Sequence, residues 1–166
     1  MPDLHRFLSI YLNDHLTGAT AGRDLFRRVA RSHRGTPRGT ELVALAHEVD
    51  QDRNAQVDIM RDLDIRPSPV RVAAAQLGER AGRFKPNGML LRRSPLSDVV
   101  ELEAMRVAVA GKAAGWEALL ALAAHEPRLR VDRLRGLIDR AHDQAGRVSR
   151  LHQRAVEELA PRALGL

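Results

Sequence analysis

Cysteine is absent from this chain of 166 residues, which excludes disulfide bonds, cysteine-ligated zinc, iron–sulfur clusters and thiol catalysis. Aromatic residues make up only 3% of the sequence, although 44% of it is hydrophobic. Because strands draw on aromatic and β-branched residues, an apolar fraction dominated by Ala and Leu favours packed helices over a sheet. The length fits a single domain, residues 1–166, with a substantial core.

Long apolar runs are also missing, since no stretch of about 18 apolar residues occurs that could span a bilayer. The first residues, MPDLHRFLSIYL, lack the basic region and the long apolar segment of a secretory signal. The sequence therefore predicts a cytoplasmic protein without membrane contact. No serine lies in a pattern that indicates nucleophilic catalysis, so no catalytic residue is predicted and enzymatic activity is left open.

Lysine is scarce: of 27 basic residues only Lys85 and Lys112 are lysines, and the net charge is +6. An excess of arginine raises the possibility of an anionic partner such as a nucleic acid. The favoured interpretation is a solvated surface, because acidic residues interleave with the arginines and aromatic stacking platforms are few. The best basic patch for an anionic partner comprises Arg80, Arg83, Lys85, Arg92 and Arg93.

Four long helices are predicted, at about residues 4–31, 37–63, 95–125 and 129–160. In each, apolar residues recur at alternating spacings of three and four, here called a seam, which is typical of helices packed about 20° from parallel. Thr36 and Pro37 suit the first positions of the second helix, and Pro161 would end the fourth. The third helix carries two seams, one through Val99, Leu102, Val109, Ala113, Trp116 and Leu120, and another through Leu96, Val100, Glu103, Val107, Ala110, Ala114, Glu117, Ala121 and Ala124.

The connections between these helices are unequal in length. Residues 31–36 and 126–128 are short links, which predict two antiparallel helical hairpins. Residues 64–94 form a long crossover between the hairpins, and their middle could form a short extra helix. The fold prediction is therefore an all-α four-helix bundle with a long crossover.

Small residues follow one another on the core-facing part of the first helix, at Gly18, Ala19, Ala21 and Gly22. Glycine is unfavourable inside a helix, so it is expected where a neighbouring element approaches closely. Trp116, the only tryptophan, is a plausible occupant of the space opposite. A ligand pocket left by the small side chains is the alternative, and packing is the favoured interpretation.

Polar residues interrupt the seams of all four helices, and such groups must pair, reach water or bind a cation. They are Asp14 and His15 in the first helix, Asp52 and Gln56 in the second, Glu103 and Glu117 in the third, and His142 and His152 in the fourth.

With this layout the chain resembles the ferritin-like superfamily, whose di-iron members carry a lone carboxylate on helices one and three and Glu-x-x-His on helices two and four. The resemblance implies bridging carboxylates, capping histidines and oxygen or peroxide chemistry at iron. In this sequence Gln51 stands where the family has His, and Asp139 where it has Glu. The matching positions are Asp14, Glu48 with Gln51, Glu103 (or Glu101), and Asp139 with His142; the tentative metal site also includes Asp52.

Distances from the turns give a different set of neighbours. Asp14 is level with Gln56, Glu103 lies nearer His152 than Asp139, and Glu117 is nearly level with Asp139. The favoured interpretation is an interior polar network without a cofactor, in which Asp14 and His15 bond to Asp52 or Gln56, and Glu103 meets Arg106 or His152. Such networks fix register in helical bundles.

The leading functional hypothesis is a ferritin-like binding or structural module whose metal site is lost or partial, assembled as a homodimer through a leftover apolar helix face. One alternative is a di-iron carboxylate oxidase or iron-handling protein that holds iron or another divalent metal. A second alternative is an arginine-rich protein that contacts nucleic acid.

Overall fold

The computed structural model describes residues 2–68 and 95–164, and within these ranges it is all-helical without strands. The helices are α1 (Pro2–Ser32), α2 (Gly39–Asp62), α3 (Pro95–Leu122) and α4 (Val131–Leu164). The prediction of four long helices without strands is confirmed for these two ranges. The proposed extra helix, most of the crossover and the basic patch at residues 80–93 lie outside the described residues.

Helix boundaries differ from the predictions where local hydrogen bonds compete with the helix. Thr36 does not cap α2: its hydroxyl donates to the carbonyl of His33 at 2.8 Å, and α2 begins only at Gly39. A Cβ atom on Gly39 would collide with the carbonyl oxygen of His33, so glycine permits this tight link. At the other end of the chain α4 runs through Pro161, where the missing N–H costs only one bond close to the helix end.

The directions of the helices follow from contacts at the two ends of the bundle. His5, in the first turns of α1, donates to the carbonyl of Leu63 just after α2, and Asp64 pairs with Arg128 of the α3–α4 link. At the opposite end Arg38, before α2, pairs with Asp98 at the start of α3 and with Glu158 near the end of α4. Therefore α1 and α4 run one way and α2 and α3 run the other.

The core consists of two apolar clusters separated by polar side chains. One cluster lies toward the start of α1 and includes Leu8, Leu12, Leu16 and Trp116. The other lies toward the α1–α2 link and includes Phe26. On every helix, polar residues separate the part that contributes to one cluster from the part that contributes to the other. They are Thr20 on α1, Asp52 and Gln56 on α2, Lys112 on α3 and Gln144 on α4. We call Asp52, Gln56, Lys112, Arg140 and Gln144 the polar layer.

Only one of the two seams predicted for α3 is buried. Val99, Leu102 and Val109 lie in the core, whereas Val107, on the second seam, is 74% exposed. Because α3 packs on α4 and α1, the first seam faces both neighbours and the second turns outward. Among the described residues, no helix combines the length and the apolarity that crossing a membrane requires.

Candidate functional site

Asp52 is the centre of the polar layer. It is only 2% exposed, and its Oδ2 atom accepts hydrogen bonds from Lys112 Nζ at 2.5 Å and from Gln144 Nε2 at 3.1 Å. The guanidinium of Arg140 pairs with Oδ1. A buried carboxylate costs several kcal/mol without partners, and here α3 and α4 supply two cations and an amide to one acid from α2.

The network continues from the core to the surface through Glu48 and Arg147. Gln144 Nε2 also donates to Glu48 Oε2 at 3.1 Å, and Arg147 Nη1 donates to Glu48 Oε1 at 2.7 Å. Arg147 further pairs with Glu41 at 2.5 Å and with Asp143 at 3.1 Å. Although burial opposes it, hydrogen bonding to these carboxylates raises the pKa of Arg147, which therefore stays charged and ties α4 to α2.

Lys112 is the unusual cation of the layer. Its ammonium donates to Asp52 Oδ2 and to Gln144 Oε1, and its side chain is 14% exposed. Burial lowers the pKa of Lys112 below its usual value, and the nearby Asp52 carboxylate opposes this shift. One of only two lysines in the chain thus lies inside the bundle.

A cavity of about 350 Å³ adjoins the polar layer between α1, α2 and α3. Its walls include the small residues Gly18, Ala19, Gly22, Gly111 and Gly115. A Cβ atom on Gly18 or Gly111 would meet nothing within 4 Å, and one on Gly22 would only touch Ala108 at 3.6 Å. The prediction of close packing at these glycines is therefore wrong at Gly18, because no neighbouring element among residues 2–68 and 95–164 fills the space.

Polar and aromatic side chains line the same cavity. The lining comprises Asp14, His15, Asp52, Arg53, Gln56 and Lys112 together with Tyr11, Phe26 and Trp116. Trp116 is buried, and its indole N–H has no hydrogen-bond partner in the described part of the chain. Such an unpaired donor costs about 1–3 kcal/mol, so most folded proteins contain few of them.

His15 is held in the cavity wall by two contacts. A Cβ atom on Gly115 of α3 would lie 2.8 Å from His15 Nδ1, so the imidazole packs directly on the backbone of that glycine. The ring of Tyr11 lies one turn away, with centroids 4.4 Å apart. Burial lowers the pKa of His15, with Asp14 opposing the shift, so the imidazole is neutral at pH 7.

Most residues of the tentative metal site are dispersed over separate surface contacts. Asp14 and Asp139 are exposed, Gln51 lies beside His47 at 3.5 Å, and Glu103 and His142 are paired with His152 at 3.3 Å and with Glu117 at 3.4 Å. Only Glu48 and Asp52 come together inside the bundle, and lysine and arginine neutralise them. Within residues 2–68 and 95–164, no three His, Asp or Glu side chains have the arrangement of a metal site, so the residues present do not fit a di-iron centre.

The predicted interior network is partly on the surface. Glu103, Arg106 and Glu117 are exposed, because they lie on or beside the outward-facing seam of α3. Gln56 is interior, but its amide donates to the carbonyl of Leu12 at 2.9 Å rather than to Asp14 or His15. Asp52 likewise bonds across to α3 and α4 instead of to α1.

Sequence reasoning missed the partners of Asp52, which are Lys112, Arg140 and Gln144. None of the three lies on a predicted seam, since Lys112 precedes Ala113 and Gln144 precedes Ala145 by one residue. A useful signal was present nonetheless: a lysine inside the alanine-rich stretch VAGKAAGW of an arginine-rich chain.

In comparisons with protein-family models, curated proteins and solved structures, the chain matches none of them. What the site does must therefore be argued from its own geometry and charge.

Proposed function

We propose that this protein is a ferritin-like helical bundle that binds a small, mainly apolar molecule in the cavity beside the polar layer. The cavity is the observation that carries the proposal, because pockets of roughly 300–1,000 Å³ with apolar walls and a few polar groups are typical ligand sites. Gly18 and Gly111 are exposed, and since a Cβ atom at either position would meet no described residue within 4 Å, both leave space in the cavity wall. A unique tryptophan in its wall supports the same proposal.

The ferritin-like relationship is supported by the helix directions, with α1 and α4 opposed to α2 and α3. In the proposed protein the metal site of that superfamily has been replaced by ion pairs. Lys112, Arg140 and Arg147 neutralise Asp52 and Glu48, which is the electrostatic role that metal ions play for buried carboxylates. The function then rests on binding rather than on metal chemistry.

Titration with 1-octanol, followed by the fluorescence of Trp116, tests the cavity directly. Gly18→Leu fills the cavity from a position with free space, and we expect it to weaken binding at least about tenfold. Gly136→Leu is the matched control, since Gly136 on α4 is also open but lies outside the cavity. Equal binding by the two variants, or no response of Trp116 to either 1-octanol or octanoate, would contradict the proposal.

The iron hypothesis has its own measurement. Purified protein is incubated with Fe(II) under anaerobic conditions, and bound metal per chain is compared with that of the Asp14→Ala, His142→Ala variant. About two irons per chain that disappear in the variant would replace the ligand-binding proposal by the di-iron alternative.

A further inference from the structure

Arg53 is the one cation in the cavity wall without an acidic partner among the described residues. It lies on α2, and its Nε donates to the hydroxyl oxygen of Thr20 at 3.4 Å. Its Nη1 and Nη2 atoms make no hydrogen bond or ion pair within the described part of the chain. The N–H groups at Nη1 and Nη2 of Arg53 are therefore available to a ligand at the wall of the mostly apolar cavity.

The charges around Arg53 leave one positive charge in excess. Arg23 is paired with Asp24 at 2.9 Å, and Arg27 is paired with Asp50 at 2.6 Å. Each of these carboxylates thus has an arginine other than Arg53 as its ion-pair partner, and Oδ1 of Asp50 is buried without a hydrogen bond in the described part of the chain. Burial and the neighbouring Arg23 lower the pKa of Arg53, while the carboxylates of Asp50 and Asp24 oppose this shift.

Other charged groups of the cavity do not supply the missing anion. Asp52 is already paired with Lys112 and Arg140, and Asp14 has a partner of its own. His15 is neutral at pH 7 because burial lowers its pKa. Arg53 is partly exposed and has no ion-pair partner among the described residues, so its guanidinium is available to an anion that enters the cavity.

We infer that the natural ligand is an amphipathic monoanion, a carboxylate on an alkyl or aryl body, with the carboxylate held by Arg53 and the body lying along Leu12, Trp116 and Leu119. The fork of an arginine matches the two oxygens of a carboxylate, and the remaining wall is apolar. This inference rests on the proposed function, since it assigns the chemistry of the molecule that the cavity binds.

Octanoate and 1-octanol test it as a matched pair with the same chain length and different charge. We expect wild-type protein to bind octanoate about tenfold more tightly than 1-octanol, as one charge-assisted interaction contributes. Arg53→Gln is expected to remove this preference, so that the variant binds octanoate no more tightly than 1-octanol. Arg53→Lys keeps the charge without the fork and is expected to retain part of the preference.

Arg135→Gln serves as the control, because Arg135 is an exposed arginine of α4 outside the cavity. Equal affinity of the wild-type protein for the two probes, or a preference that survives Arg53→Gln, would overturn the inference and leave the cavity proposal standing. If neither probe binds, or if Gly18→Leu binds both as well as wild type does, the cavity proposal fails as well.

Discussion

Asp52 shows what one residue contributes to this fold. An isolated carboxylate at 2% exposure would be strongly destabilising, and it is tolerated because Lys112 and Arg140 contact its two oxygens. The arrangement is reciprocal, since the partly buried cations need the carboxylate as much as it needs them. Removing one partner is therefore more damaging than removing both.

Asp52→Ala is expected to lower the free energy of unfolding by about 3–5 kcal/mol, because it leaves the two cations without their acid. The double variant Asp52→Leu, Lys112→Met is expected to recover part of this loss, since only Arg140 then lacks a partner and it reaches solvent. Urea unfolding at pH 7 measures both.

Asp62→Ala is the surface control for this experiment, because Asp62 is about half exposed and pairs with Arg133 at 3.2 Å. An exposed pair contributes about 0–1 kcal/mol. An Asp52→Ala variant that loses no more stability than Asp62→Ala would show that the polar layer does not depend on its central acid.

At the scale of the secondary-structure element, the contact between α1 and α3 depends on steric complementarity between the two helices. His15 of α1 occupies the place that a side chain at position 115 of α3 would take. A histidine and a glycine thus form one complementary contact across two helices, and the cavity opens beside it. Neither His15 nor Gly115 predicts this contact from its residue type alone, since both residue types fit many other environments.

Gly115→Ala is expected to destabilise the protein relative to Gly136→Ala, although both replace a glycine inside a helix. At the open position 136 alanine is expected to add about 0.5–1 kcal/mol to the free energy of unfolding through helix propensity. At position 115 the new Cβ atom would collide with the imidazole of His15. The cost of displacing this ring offsets the gain in helix propensity.

A double-mutant cycle measured by urea unfolding separates the two effects. In the His15→Ala background, Gly115→Ala is expected to become as favourable as Gly136→Ala. Failure of His15→Ala to change the cost of Gly115→Ala would mean that the two residues are not in contact in solution.

On the scale of the whole molecule, apolar side chains are left on the surface of α1. Phe7 is 50% exposed and Ile10, one turn further, is 49% exposed. Neighbouring apolar residues at the surface often mark an interface with another chain. We propose that two copies of the chain assemble through this face.

Ile10→Glu is expected to shift the protein from dimer to monomer, because it places a charge in the apolar contact. Sedimentation velocity over a range of protein concentrations measures this. Val43→Glu is the matched control, since Val43 of α2 is similarly exposed at 52%. A wild-type protein that sediments as a monomer at every concentration would refute the dimer.

Local patterns in the sequence are sufficient to predict the number and approximate positions of the helices. Four helices are predicted from the seams of spacing three and four, from the short links at residues 31–36 and 126–128, and from the lack of aromatic and β-branched runs. Four helices are found in the described residues. Helix boundaries do not follow from the same patterns, because the hydroxyl of Thr36 donates to the carbonyl of His33 and does not cap α2 as the sequence predicts. Such choices depend on single competing hydrogen bonds.

The candidate site was decided by the tertiary structure, because its members come from different helices and meet only through packing. Sequence periodicity identified Asp52 as a polar residue in an apolar seam, but it could not assign Lys112, Arg140 and Gln144 as its partners. It also could not tell which seam of α3 faces inward, since both are apolar and only the neighbours of α3 distinguish them. The same glycines that suggested close packing line a cavity, since a missing side chain leaves space that only a neighbouring element can fill.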